Sequence, residues 1–261
     1  MAATVAIEVP PGFVVREEAH KAAYENGFRI ERDLQNGWLG YASSTARGNI
    51  WIARATGQGN WLLSISHAGV AAELDLPAVE GIAGPGFATY SFARLHELYA
   101  TLGRIYKLAV SLPDVPLKAF EKATANLPRT TEAERLTVER IGQNLFRQAL
   151  MEYWNGRCPL TGITDPALLR ASHIVAWAEC ESDALRLDVH NGLLLSALWD
   201  AAFDAGLISF ADDGTVLRSA ELTAEAAAAL NLNSAAPLAP LTNLHRQNLA
   251  RHRTRHGFDQ P

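Results

Sequence analysis

Two carboxylates interrupt an apolar, helix-compatible segment, Leu195-Ser-Ala-Leu-Trp-Asp200-Ala-Ala-Phe-Asp204-Ala-Gly206, and they constrain this chain more than anything else in it. Asp200 and Asp204 are four residues apart, so a helix stacks them on one face, one turn from each other. Their neighbours Leu198, Trp199, Ala201, Ala202 and Phe203 are apolar, which argues that this face turns inward rather than into solvent. Two oxygen donors on one inward face make half of a divalent-metal site. Upstream, Ser172-His173-Ile174-Val175 reads as a short strand carrying a histidine, and Asn191-Gly192 as a turn into the apolar run Leu193-Leu194-Leu195.

The 261 residues suffice for one large core or two modest ones, and 48% hydrophobic with 20% charged residues is ordinary for a folded globular protein. The net charge of −5 gives no global signal for nucleic acid, so any such contact must come from local clusters. Residues 131–261 hold eleven basic and sixteen acidic residues, against twelve of each in residues 1–130, so the acidic excess sits in the half with the candidate site. Only Cys158 and Cys180 are present, without metal-knuckle spacing, which excludes a disulfide framework and a structural zinc finger and leaves two small buried residues. The first residues, MAATVAIEVPPG, lack a basic segment leading into a long apolar one; a cytoplasmic location without membrane association is the expectation.

An N-terminal α+β module is expected over residues 1–112. It opens with a strand-like run, Thr4 to Val9, and a helix, Arg16 to Asn26. Three short strands around residues 37–41, 48–53 and 61–65 follow, then an amphipathic helix over residues 92–110. Trp38, Tyr41, Trp51 and Trp61 read as its core, in preference to a pocket for a flipped or modified base. A connection spans residues 113–133, with a short helix possible from Leu117 to Asn126. A second domain, 134–261, opens with a helix from Glu134 to Trp154, capped by Thr130 or Thr131. Beyond the site, Asp212-Asp213-Gly214 reads as a hairpin turn and Glu221 to Leu230 as a helix. The final helix, Thr242 to Phe258, holds four arginines and three histidines. Arg147, Arg246, Arg251, Arg253 and Arg255 are the candidate contacts to DNA phosphates.

Phosphodiester hydrolysis needs an activated water, positive charge at the phosphate and leaving oxygen, and a group that positions the base. Imidazole, titrating near neutrality, suits His173 as the base. Asp200 and Asp204 suit a hard cation, Mg2+ or Mn2+, and the Asn191 amide suits holding the turn and orienting the histidine.

These residues resemble the HNH endonuclease family. The resemblance rests on Cys158-Pro-Leu-Thr-Gly162, Ser172-His173-Ile174 with Trp177, His190-Asn191-Gly192, and Phe203-Asp204 with Gly206-Leu207, in that order. Asp200 and Asp204 fall nine and thirteen residues after Asn191, the positions at which the family places metal ligands on its helix. The resemblance covers about residues 136–258, a little under half of the chain. It implies a ββα-metal fold with flanking helices, His173 as general base, Asn191 in the catalytic set, and Asp200 and Asp204 as metal ligands. It further implies cleavage of double-stranded DNA, in restriction or defence against foreign DNA. One site cuts one strand at a time, so a homodimer or two visits would give a double-strand break. Ser172 stands where many members carry an Asp or His ligand, and Asp200 where His or Asn is usual. The alternative reading is a catalytically silent HNH fold that binds DNA or senses a ligand.

Overall fold

Pro10-Pro11-Gly12 stops the opening run, and α1 (Phe13–Glu25) follows, burying Val15, Ala19, Ala22 and Ala23 along one stripe. The computed structural model describes residues 6–258 except 80 and 129; of the opening run, Ile7 bridges to Ala55, while Thr4 and Val5 lie outside the described residues. Gly27, at φ +86°, turns the chain out of α1, and a Cβ there would strike the Tyr106 ring. An antiparallel meander follows, β1 (Ile30–Gln35), β2 (Trp38–Ala42), β3 (Asn49–Arg54), β4 (Trp61–Ile65) and β5 (Ala88–Phe92), in the spatial order β1-β2-β3-β4-β5. The short helix α2 (Ala68–Glu73), capped through His67 Nδ1, lies between β4 and β5, and α3 (Leu95–Ser111) follows the sheet. Trp38, Tyr41, Trp51 and Trp61 are all buried.

Two of the five strands were not expected. All six residues of β1 (IERDLQ) are exposed, so this charged edge strand carries no alternating apolar signal. Phe92, expected to open the helix, is instead the last residue of β5, and α3 starts three residues later.

The chain divides into two compact units, residues 1–110 and 111–261. In the second, α4 (Asp114–Thr124) occupies the stretch expected as a connection and packs on α5 (Glu132–Tyr153). Thr131 and Glu134 close a reciprocal capping box at the start of α5, an arrangement whose cap contributes about 1 kcal/mol. Strand β6 (Leu169–His173), a short helix α6 (Asp183–Arg186), strand β7 (Gly192–Ser196) and helix α7 (Ala197–Asp204) follow. β6 and β7 pair antiparallel with His173 opposite Gly192, and α7 leaves β7 without an intervening loop. The β8–β9 hairpin (Ile208–Phe210, Val216–Arg218) turns at residues 212–214; α8 (Ala224–Ala229) and α9 (Asn243–Arg255) complete an α+β chain. Among the described residues no helix is long and apolar enough to cross a membrane.

Two glycines let α5 press against the strand pair. A Cβ on Gly192 would enter Phe146 and Leu150 of α5, and one on Gly142 would enter Trp177. Adding atoms to a filled contact of this kind costs about 1–3 kcal/mol. Gly192→Ala is therefore expected to lower unfolding stability by about that amount, measured by urea denaturation; an unchanged midpoint would show that the contact relaxes freely.

Candidate active site

Strand geometry divides the site. Successive residues of β6 face opposite sides, so Ser172 turns toward α7 while His173 turns toward α5. On the α7 side, Ser172 Oγ lies 3.5 Å from Asp204 Oδ1, at the long limit of a hydrogen bond. On the α5 side, the His173 ring stacks on Phe146 at 3.8 Å between centroids and 16° between planes, and Trp177 meets it edge-on at 5.5 Å. The two halves meet at the strand end in a cavity of about 350 Å³, whose lining includes Ser172, His173, Trp177, Asp204, His252, Arg255 and His256.

The histidine is held in one protonation state and one tautomer. Its Nε2 is 2.9 Å from the carbonyl oxygen of Arg186. A carbonyl only accepts, so the ring proton sits on Nε2 and the neutral ring keeps a lone pair on Nδ1. Burial lowers the His173 pKa to about 4. This corrects the expectation of a near-neutral imidazole: at neutral pH the ring is uncharged, and it stays so well into acid.

Asn191, expected to hold the turn and orient the histidine, is fully buried and bonds to loop backbone. Its Oδ1 accepts from Val175 N at 2.8 Å, and its Nδ2 donates to the carbonyls of Val175 and Leu185, each at 3.2 Å. Leu185 precedes Arg186, whose carbonyl accepts the hydrogen bond from His173 Nε2–H. Arg186, which sequence reasoning did not single out, braces the same loop: it donates to the Trp177 and Cys180 carbonyls at 3.1 and 2.6 Å and to Asp183 at 2.9 Å. An arginine after a short polar turn has no signature that distinguishes such a role from a solvated charge.

Asp200 and Asp204 share the α7 face with Ser172. Burial raises both pKa values, and the Asp200 charge raises that of Asp204 further; Ser172 hydrogen bonding opposes the shift at both. Neither forms an ion pair with a described residue. Two repelling, partly desolvated carboxylates beside a hydroxyl suit a hard cation that completes its shell with water and phosphate oxygen. Among the described residues no group of three or more His, Cys, Asp or Glu side chains converges on one point.

The expected phosphate-binding arginines separate into two kinds. Arg147 donates to the carbonyls of Leu169 and Pro166 at 2.8 and 2.7 Å, tying α5 to the start of β6. Arg246 donates to the Asp212 carbonyl and to Asn243, and Arg253 to the Phe210 carbonyl and the Asp212 carboxylate. These three guanidinium groups are engaged in hydrogen bonds within the fold. Arg251 and Arg255 instead form half-exposed pairs with Glu181 at 3.7 Å and Glu179 at 2.8 Å.

A histidine on the first strand, an asparagine-braced loop, a second antiparallel strand and a helix bearing two carboxylates follow one another in a ββα arrangement. Residues 158–211 match the family described as HNH endonuclease, and the C-terminal half of this chain carries an HNH endonuclease domain. No curated protein matches the chain.

His173 links this geometry to acid stability. In the unfolded chain its pKa is near 6.5, in the folded protein about 4, so between those values the unfolded chain binds a proton that the folded one refuses. Stability therefore falls as pH drops from 6.5 to 4, by up to about 3 kcal/mol from this residue, and is unaffected by it above pH 7. Asp200 and Asp204, with raised values, act in the opposite sense, so the readout is a difference. Relative to His173→Phe, which keeps the stack, the wild type is expected to lose stability across that window in urea unfolding; parallel curves would contradict the assignment.

Proposed function

We propose that the C-terminal unit is a metal-dependent endonuclease that hydrolyses DNA phosphodiester bonds. The observation that carries this is a single cavity shared by His173, with its lone pair fixed on Nδ1, and by Asp204 and Ser172. In the proposed reaction His173 Nδ1 accepts the proton of the attacking water, while Nε2 keeps its own proton and donates it in a hydrogen bond to the Arg186 carbonyl. Phe146 and Trp177 fix the ring plane and keep bulk water from its faces. Asn191 holds the loop that carries the accepting carbonyl.

Asp200, Asp204 and the Ser172 hydroxyl would hold the divalent ion, Mg2+ or Mn2+. When bound, the ion supplies positive charge to the phosphate and to the departing 3′ oxygen. The substrate in this reading is double-stranded DNA, with a role in restriction or defence, and double-strand breaks arise from a homodimer or from two visits.

Plasmid cleavage with Mg2+ or Mn2+ tests the reading. Wild-type protein is expected to nick supercoiled DNA, and His173→Ala to do so roughly a hundred- to ten-thousandfold more slowly, the usual worth of a general base. Identical behaviour of the two proteins across both metals would end the enzymatic proposal. The alternative is a catalytically silent HNH fold, since Ser172 stands where many members carry an Asp or His and no group of three or more His, Cys, Asp or Glu converges among the described residues. That alternative predicts salt-sensitive DNA binding that persists in chelator and survives Asp200→Asn with Asp204→Asn.

A further inference from the structure

Three histidines line the cavity, and they differ in what their nitrogens already do. His252 commits both, Nδ1 to Ser209 Oγ at 3.0 Å and Nε2 to the Phe203 carbonyl at 3.2 Å, with its ring stacked on Phe203 at 3.9 Å. His173 commits one. His256 has no hydrogen-bond partner on either ring nitrogen among the described residues. It lies against Gly206, where a Cβ would overlap its ring, so the residue two places after Asp204 leaves room for it beside the carboxylates.

Its neighbour Arg255 also lines the cavity. The Arg255 guanidinium donates to Glu179 Oε2 at 2.8 Å, with both side chains about half exposed, 46% and 48%. A pair so open to water is worth little and exchanges readily. A phosphodiester presents the same acceptor geometry as the carboxylate, with an equal charge, and a guanidinium fork recognises either.

We infer that Arg255 and His256, both beyond the family-matched segment, form the site that receives the substrate phosphate beside His173 and Asp204, and that Glu179 occupies Arg255 until phosphate displaces it. The N–H of neutral His256 donates to one non-bridging oxygen and the Arg255 fork to the phosphate as a whole. No proton is transferred by either group. Within α9 this gives the arginines unequal roles: Arg253 anchors the helix on the Phe210 carbonyl, and Arg255 meets substrate.

The inference rests on the proposed nuclease function, and binding measured without metal separates the two. Fluorescence anisotropy of a short DNA duplex in EDTA, across a salt series, would be compared for wild type, Arg255→Ala, Arg255→Lys, His256→Ala, His256→Asn and Glu179→Gln, each checked for folding by thermal melt. Arg255→Ala is expected to weaken binding about tenfold and to reduce the salt slope by about one, and Arg255→Lys to keep the slope with weaker binding. His256→Ala weakens binding severalfold at unchanged slope, and His256→Asn, which keeps a donor, recovers part of it. Glu179→Gln tightens binding at unchanged slope, more than Glu152→Gln on the exposed face of α5. If the Arg255 and His256 variants bind as wild type does while His173→Ala still abolishes cleavage, this inference fails and the nuclease reading stands. If wild type neither binds duplex nor cleaves plasmid with either metal, both fall.

Discussion

The hydrogen bond from His173 Nε2 to the Arg186 carbonyl is the contact on which the rest of the site depends. It fixes the tautomer, and therefore which nitrogen carries the lone pair. It also requires that the loop from Ile174 to Arg186 return the chain to the end of β6. That return is enforced by buried polar groups that have no cheaper alternative: the Asn191 amide satisfies three backbone groups of the loop, and Cys180 Sγ sits within 3.4 Å of both Val175 O and Asn191 Nδ2. Breaking one member strands the others in a dry environment, where an unpaired polar group is more costly than its hydrogen bond was worth. Asn191 acts through this network, at a distance from the reacting atoms.

A one-residue step along β6 then places Ser172 and His173 on opposite faces. With Ser172 and His173 on opposite faces, the base does not hydrogen-bond to the carboxylates on α7, and its lone pair stays available. The acids in turn have no ion-pair partner among the described residues and carry raised pKa values. This arrangement opposes stability, since two like charges are held on one helical turn, partly out of water. Such a cost persists where a cation or a substrate offsets it. Arg170 and Arg255 act on Asp200 and Asp204 at longer range without closing on them, which leaves the oxygens available.

Much of this was legible in the sequence because it lies in spacing. The i,i+4 carboxylates, the strand before them and the helix Glu134 to Trp154 follow from periodicity, and α5 does run from Glu132 to Tyr153. What was not legible depends on contacts distant in sequence. Phe146 reads as one more apolar residue of a helix, and only the packing of α5, admitted by Gly142 and Gly192, makes it the platform under His173. The depressed pKa of His173 follows from that burial, so composition alone pointed to a near-neutral base. The edge strand β1 escaped notice for the reverse reason, since nothing buries it and its charges remove the alternation that marks a strand.

The C-terminal helix shows how a charge run can mislead. Read as composition, four arginines and three histidines suggest one nucleic-acid surface. Read with helical period, they fall on three faces. His245, Asn248, Leu249 and His252 form the buried stripe, three to four residues apart, and two of the run's histidines are thus core residues. Arg246 and Arg253, seven apart, hold the residues just after β8 by the Phe210 and Asp212 carbonyls. Arg251 and Arg255, four apart, face Glu181 and Glu179. The first two faces build the domain, and the arginines of the third pair with exposed or half-exposed carboxylates. Of this third face, Arg255 lines the cavity that His173 and Asp204 also line, so position along the helix rather than charge count separates it from the rest of the run.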